Sequence, residues 1–273
     1  MPSLPERASA VLYLKPKPEF SMPLMKHSLP PKPRQPDAEI DGVLLIDKQP
    51  DMTSHDVVAV ARKRLGTRKI GHCGTLDPMA TGLLILVVGK ATKIQDLLMA
   101  EEKEYEGTLT LGTSTSTQDS EGEVLETKPV PELAPAQIEE AFQQFRGDFY
   151  QLPPMVSAIK IDGVPLYKLA RKGQEVEREP RLVTVFHHQI KRIELPQVDF
   201  RVVCSKGFYV RTYCHDIGAK LGCGGHMSAL RRTRSGKFTV EGNLTFDELK
   251  TLPREEILAR VLSLRDVSRL RGA

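Results

Sequence analysis

Gly71-His72-Cys73-Gly74-Thr75-Leu76-Asp77-Pro78-Met79-Ala80-Thr81-Gly82 runs directly into Leu83-Leu84-Ile85-Leu86-Val87-Val88 and closes at Gly89. A short apolar run bounded by glycines reads as a fully buried strand. Ahead of it, glycines bracket a lone carboxylate, and Pro78 biases the backbone of Asp77 away from the helical region. The stretch predicts a tight loop that presents Asp77 and is anchored by a strand of the core. A rigid scaffold offers one reactive side chain to a bulky ligand in this way. An isolated Asp-Pro is most often an ordinary turn, and it is the wording of the whole stretch that lifts this one out of that class.

Working outward, the folded body starts near Asp41-Gly42, with Val43 to Ile46 as a short strand and Asp47-Lys48-Gln49-Pro50 as a turn. Ser54 reads as the cap of a helix whose apolar positions are Val57, Val58, Ala61 and Leu65, with Gly66 at its C-terminal end. After the buried strand, Ala91-Thr92-Lys93 leads into a helix reaching about Ala100, and residues 105 to 111 alternate as a half-buried strand does. A Ser/Thr run at 113 to 117 and Asp119-Ser120-Glu121-Gly122 form a polar loop, and a helix is expected over 135 to 146. Strands follow at Leu182 to Val185 and Asp199 to Ser205, then a turn at Lys206-Gly207, a helix over 213 to 221, and helices near 245 to 252 and 254 to 263.

The first 38 residues hold nine of the chain's twenty prolines and six Lys or Arg against three acids, a composition that favours a disordered, basic tail. The rest of the chain is nearly neutral, with 33 basic residues against 32 acids, so a nucleic-acid partner has to be argued from local patches. Three basic stretches stand out: Arg62-Lys63-Arg64 with Arg68 and Lys69, Lys168 to Arg181, and Arg231-Arg232 with Arg234 and Lys237. No apolar run approaches a membrane span. The four cysteines fit neither a zinc ribbon nor a disulfide framework, so reduced thiols in a cytoplasmic protein are the expectation.

The loop resembles the signature of the TruB-type tRNA pseudouridine synthases, Gly-His-x-Gly-x-Leu-Asp-Pro-x-Ala-x-Gly, followed by an apolar strand ending in Gly-x-Ala-Thr-Lys. Gly71 to Gly82 and Gly89-Lys90-Ala91-Thr92-Lys93 match it. The resemblance continues through Asp47-Lys48-Gln49-Pro50, Lys103-Glu104-Tyr105 and Arg146-Gly147-Asp148. It goes on in Pro153 to Lys160, Cys204 to Thr212 and Leu230-Arg231-Arg232-Thr233, covering roughly residues 39 to 265. It implies an α+β pseudouridine synthase fold, with a central mixed sheet flanked by helices and a thumb-like RNA-gripping insertion at about 151 to 180. Many bacterial relatives continue into a PUA domain; here a short C-terminal tail over 266 to 273 is expected instead, with no room for one.

By the same resemblance the activity is isomerisation of uridine 55 in the T loop of tRNA. The N1–C1′ bond breaks, the base turns, and it rejoins through C5. No atom is gained, so neither a cofactor nor a metal is expected. The partner is the T stem-loop of tRNA, with no membrane, no obligate protein partner and a monomeric state. Asp77 is the matching catalytic aspartate, acting as a nucleophile or as a base at the ribose. Arg211 is expected beside it, where a guanidinium lowers a carboxylate pKa. Tyr105 stacks on the flipped base and Leu230 forms the opposite wall. His72 meets the displaced RNA, and Lys48, Lys93 and Lys160 complete the substrate-binding set. The basic stretches beside these motifs are read as phosphate contacts.

Rival readings are weaker. Gly89-Lys90 hints at a phosphate loop, but Leu84 and Ala91 break that pattern at both ends. Neither His72, Cys73 and Asp77 nor Cys223 and His226 supply three ligands at a recognised metal spacing. A non-catalytic RNA-binding protein or tRNA-folding chaperone on the same scaffold would keep the basic stretches and Tyr105 but would not need Asp77 and Arg211.

Overall fold

The computed structural model describes residues 40–272 apart from 158, 162, 171 and 172, and not the side chains of Lys160, Ile161, Pro165, Tyr167 and Lys168. The basic tail expected over residues 1–38 lies outside the described residues.

The first half of the body contains β1 (Gly42–Lys48), α1 (Ser54–Leu65), β2 (Ile70–His72) and β3 (Thr81–Val88). A 3-10 turn (Gly89–Ile94) and α2 (Gln95–Met99) lead to β4 (Lys103–Leu111), β5 (Thr113–Thr115), β6 (Val124–Thr127), α3 (Pro135–Gln143) and β7 (Gly147–Gln151). Within the expected insertion lie β8 (Lys160–Ile161), β9 (Val164–Pro165) and α4 (Leu166–Ala170). The chain returns through β10 (Arg181–Glu194), β11 (Gln197–Cys204), α5 (Val210–Lys220) and β12 (Gly225–Ser235). It finishes with β13 (Phe238–Thr239), β14 (Leu244–Thr245), α6 (Phe246–Thr251), α7 (Arg254–Ala259) and α8 (Leu264–Arg271).

Ten strands form one mixed sheet in the order β14-β1-β3-β12-β4-β11-β10-β7, with β2 and β13 paired alongside β3 and β12. Most pairs are antiparallel; β1–β14 and β3–β12 are parallel. The apolar run has its explanation in β3, which is buried on both faces. Leu84, Leu86 and Val88 face the larger core with α1, α3 and α5, while Leu83, Ile85 and Val87 face a smaller one with Ala91, Leu98 and Val267. A strand covered on both sides has no polar face to alternate with.

The parallel β3–β12 junction is short, Thr81 and Gly82 opposite Arg231 and Arg232. Gly82 has φ 97° and lies so close to the Arg232 backbone that a β-carbon would collide with it. That approach requires glycine.

The expected helices and strands are largely present, with local differences. Thr53, rather than Ser54, caps α1 in a reciprocal box with Asp56. Ser54 is buried and its hydroxyl serves the Asp77 loop instead. The helix expected from 213 begins at Val210, so Arg211 sits in its first turn. The polar loop at 113 to 122 is the start of a β5–β6 hairpin. The tail expected over 266 to 273 is corrected as well: 266 to 271 belong to α8, whose Val267 is buried in the smaller core.

Candidate active site

Every second residue of the loop before β3 is tied down. The buried guanidinium of Arg232 donates to Gly74 C=O at 3.2 Å and to Leu83 C=O at 2.7 Å. Ser54 Oγ accepts from Leu76 N–H at 2.9 Å and donates to Leu76 C=O at 3.1 Å. Lys48 Nζ donates to Pro78 C=O at 3.0 Å and Ala80 C=O at 2.5 Å. Leu76 and Ala80 point into the core. The alternation leaves Asp77 between two anchored residues, with its side chain 30% exposed.

Arg211 reaches Asp77 from α5 in a two-pronged contact, Nε to Oδ2 at 3.1 Å and Nη2 to Oδ1 at 3.4 Å. The same guanidinium donates to Val156 C=O at 2.7 Å and Thr117 C=O at 3.2 Å, and lies 3.6 Å from Asp119 Oδ2. Tyr213, two residues further along α5, anchors the helix to the sheet. Its ring meets Phe142, Phe145, Phe200 and Phe208 at centroid separations of 5.3 to 6.0 Å. Aromatic edge contacts of this kind hold an element rigidly, and Arg211 shares that rigidity.

Arg211 lowers the carboxyl pKa of Asp77, as expected, but the net shift is upward. Loss of hydration is the larger effect and pushes Asp77 above its ordinary value; Arg211 opposes this, Asp119 adds to it, and Lys48 opposes it weakly. Burial disfavours the charged form of any carboxyl, and a cation offsets that only in part.

Tyr105 and Leu230 come together through strand pairing. Tyr105 lies opposite Arg232, and Gly107 opposite Leu230, across β4 and β12. The two side chains are therefore diagonal neighbours on the face that carries α5. Burial raises the Tyr105 hydroxyl pKa, so it keeps its proton at neutral pH, and Arg232 is its largest opposing influence.

The remaining candidates divide. His72 is half-buried on β2, its ring edge-on to His55 at 5.2 Å. Burial, with His55 and Arg232 nearby, pulls its pKa down to about 4, so it is neutral at neutral pH. Lys93 is exposed in the turn after β3, at the end of that strand away from the loop. Lys160 lies in β8, with its side chain outside the described residues. Lys48 is corrected: it is fully buried with its ammonium on carbonyl groups, so it holds the loop and does not face a substrate.

The third basic stretch is corrected too. Arg231 pairs with Asp47 through two bonds of 3.0 and 2.7 Å, Arg232 is buried, and Arg234 bonds Glu102; Lys237 stays exposed. In the first stretch Arg62, Lys63, Arg68 and Lys69 remain exposed.

Asp119 and Arg232 were not foreseen as part of the site. Strand alternation from Leu230 would have placed Arg232 inward. Asp119 carries no local signal, because it reaches Arg211 through the turn at Gln118, a non-glycine residue held at φ 65°. Such strained backbone concentrates at functional sites. Among the described residues no cluster of His, Cys, Asp and Glu is placed to hold a metal ion, and no helix is long and apolar enough to cross a membrane.

The match to known proteins follows this geometry. Residues 62–210 match the model of the TruB family pseudouridylate synthase N-terminal domain. Residues 211–267 match the tRNA pseudouridylate synthase B C-terminal domain. The tRNA pseudouridine synthase B of Opitutus terrae is 57% identical over 228 residues, 84% of this chain and 95% of that protein. That of Syntrophotalea carbinolica is 47% identical over 230 residues, 84% of this chain and 75% of that protein.

Among solved structures, the archaeal box H/ACA sRNP Nop10–Cbf5 complex is similar at TM-score 0.61 and 28% identity. The match covers 82% of this chain and 60% of that one. An H/ACA RNP bound to a substrate RNA containing 2′-deoxyuridine is similar at TM-score 0.57 and 31% identity, over 76% of this chain and 51% of that one. The chain belongs to the TruB family of pseudouridylate synthases.

Proposed function

We propose that this protein isomerises uridine to pseudouridine at position 55 in the T loop of tRNA. The observation that carries the reading is the pinned Asp77, gripped by Arg211 and set beside the Tyr105–Leu230 pair. A uridine lifted from its stack has an aromatic ring and an apolar side chain to rest on there. Asp77 acts at the ribose, either by attack on C1′ or by taking a proton from C2′, and the N1–C1′ bond breaks. The detached base turns, and C5 bonds to C1′ as the Asp77–C1′ ester breaks or as C2′ takes its proton back; the C5 proton is then lost and N1, freed from C1′, takes one up. Atoms are conserved, so the reaction draws on no cofactor.

His72, Leu230, Lys93 and Lys160 contribute to holding the RNA, which is recognised through its folded stem-loop. Phosphate contacts make that affinity salt-sensitive. The protein works as a monomer in the cytoplasm without an obligate protein partner.

The test uses unmodified tRNA transcript with wild-type protein and the Asp77→Asn variant. Carbodiimide-directed primer stops map pseudouridine, and filter binding measures affinity on the same samples. Modification of the T-loop uridine by wild type alone, with both proteins binding, is the expected result. Binding by both and modification by neither would overturn the reading in favour of a chaperone on this scaffold.

A further inference from the structure

Gln151 ends β7 where the chain leaves the sheet for the segment 152–180, and the residue is 2% exposed. Its carboxamide makes two bonds to one peptide residue. Gln151 Oε1 accepts from Tyr209 N–H at 2.8 Å, and Gln151 Nε2 donates to Tyr209 C=O at 3.0 Å. Tyr209 is the N-cap residue of α5 and receives no cap bond from its own side chain. A primary amide that satisfies both the N–H and the C=O of one residue copies a β-ladder pair and fixes that residue in position and in rotation. Arg211 follows in the first turn of the helix so held.

The same departing segment touches the site a second time, because Val156 C=O accepts from Arg211 Nη2 at 2.7 Å. From the opposite side, Thr212 Oγ1 donates to Gln118 Oε1 at 2.8 Å. The first turn of α5 is thus clamped between the turn that carries Asp119 and the root of the segment 152–180.

We propose that Gln151 is a positioning residue that sets the orientation of the α5 N-terminus, and with it the two-pronged contact of Arg211 on Asp77. Through it, the segment 152–180 is coupled mechanically to the reactive carboxylate. The activity arm of the test rests on the catalytic reading above; the titration arm does not.

The groups that act on Asp77 are Arg211, Asp119 and Lys48, and Asp77 acts in turn on Tyr105, Glu121 and Tyr209. Gln151→Met keeps the side-chain length, removes both hydrogen bonds and leaves every one of those charges in place. If that contact loosens, Arg211 offsets the burial of Asp77 less. The Asp77 midpoint then rises by about one pH unit, and kcat falls about 10- to 100-fold with KM for the tRNA transcript little changed.

The experiment titrates the Asp77 carboxyl carbon by 13C NMR, assigned with Asp77→Asn, in wild type and Gln151→Met, and measures kcat and KM against pH on the same proteins. Should Gln151→Met fail to fold by thermal melting, Gln151→Asn carries the test, because it keeps an amide in shortened reach. An unchanged Asp77 midpoint in the folded variant, or a loss confined to KM, overturns the proposal. A shifted midpoint in a protein whose wild type makes no pseudouridine upholds the positioning role and overturns the catalytic reading instead.

Discussion

Replacing Arg211 with methionine removes a cation shared by two carboxylates, and the structure lets the cost be apportioned. Removing one partner of a buried ion pair costs about 3–5 kcal/mol, because the remaining charge stays buried. Asp119 has a side chain only 4% exposed, whereas Asp77 keeps 30%. Water can solvate Asp77 in part, so the Asp119 contact dominates and the lower end, about 3 kcal/mol at pH 7.5, is expected. For a chain of this size that lowers Tm by about 6–12 °C.

The sign with pH follows from Asp77. Its folded-state pKa already lies above the ordinary 3.8 through burial, and losing Arg211 raises it further. A carboxyl with a raised folded-state pKa costs stability above that pKa, and the cost shrinks as pH falls toward the unfolded value. The deficit of Arg211→Met should therefore narrow between pH 7.5 and pH 5. Urea denaturation of wild type, Arg211→Met and Arg211→Met/Asp119→Asn at both values is the assay. The second substitution should recover more than half of the loss. A loss under about 1 kcal/mol, or one that neither acid nor Asp119→Asn relieves, would mean the cluster behaves as a solvated surface pair and refute the reasoning.

Three further outcomes are expected. The acid limb of kcat/KM should lie above the ordinary carboxylate value because Asp77 works ionised, and Arg211→Lys should move it higher; a limb unmoved by that change would mean another group sets it. Lys48→Met should release Pro78 and Ala80 and lower kcat at least about 10-fold. Burial lowers the Lys48 pKa to about 8 from 10.5, so wild type should gain stability relative to this variant as pH rises from about 8 to 10.5, where the folded state binds fewer protons. A difference in stability that is flat with pH would contradict it. Tyr213→Phe should raise stability by about 1 kcal/mol in thermal melts, since the buried Tyr213 hydroxyl finds no partner among the described residues.

Much of the fold is legible in short stretches of sequence. The β3 run, the spacing of Val57, Val58, Ala61 and Leu65, and the alternation of β4 are patterns of burial written over a few residues, and each element forms close to where its pattern lies. Asp77 is equally legible, because the glycines and proline that shape its loop are its neighbours in the chain. The start of α5 and the β5–β6 hairpin were misplaced, because their backbone is held by distant partners: Gln151 at Tyr209, and Met227 at the Gln118–Ser120 turn.

What the chain alone determined is therefore the reactive loop, the strand that supports it and the residue types that chemistry at a ribose needs. Tertiary structure alone decided which charges those residues would feel. Lys48 and Arg232 look in sequence like surface cations, and both are buried because carbonyls from other elements receive them. Asp119 joins Arg211 only because the β5–β6 turn is bridged to Met227 of β12, which brings it beside the first turn of α5. A buried charge depends on partners that arrive from far along the chain, and a local pattern of burial holds no record of them.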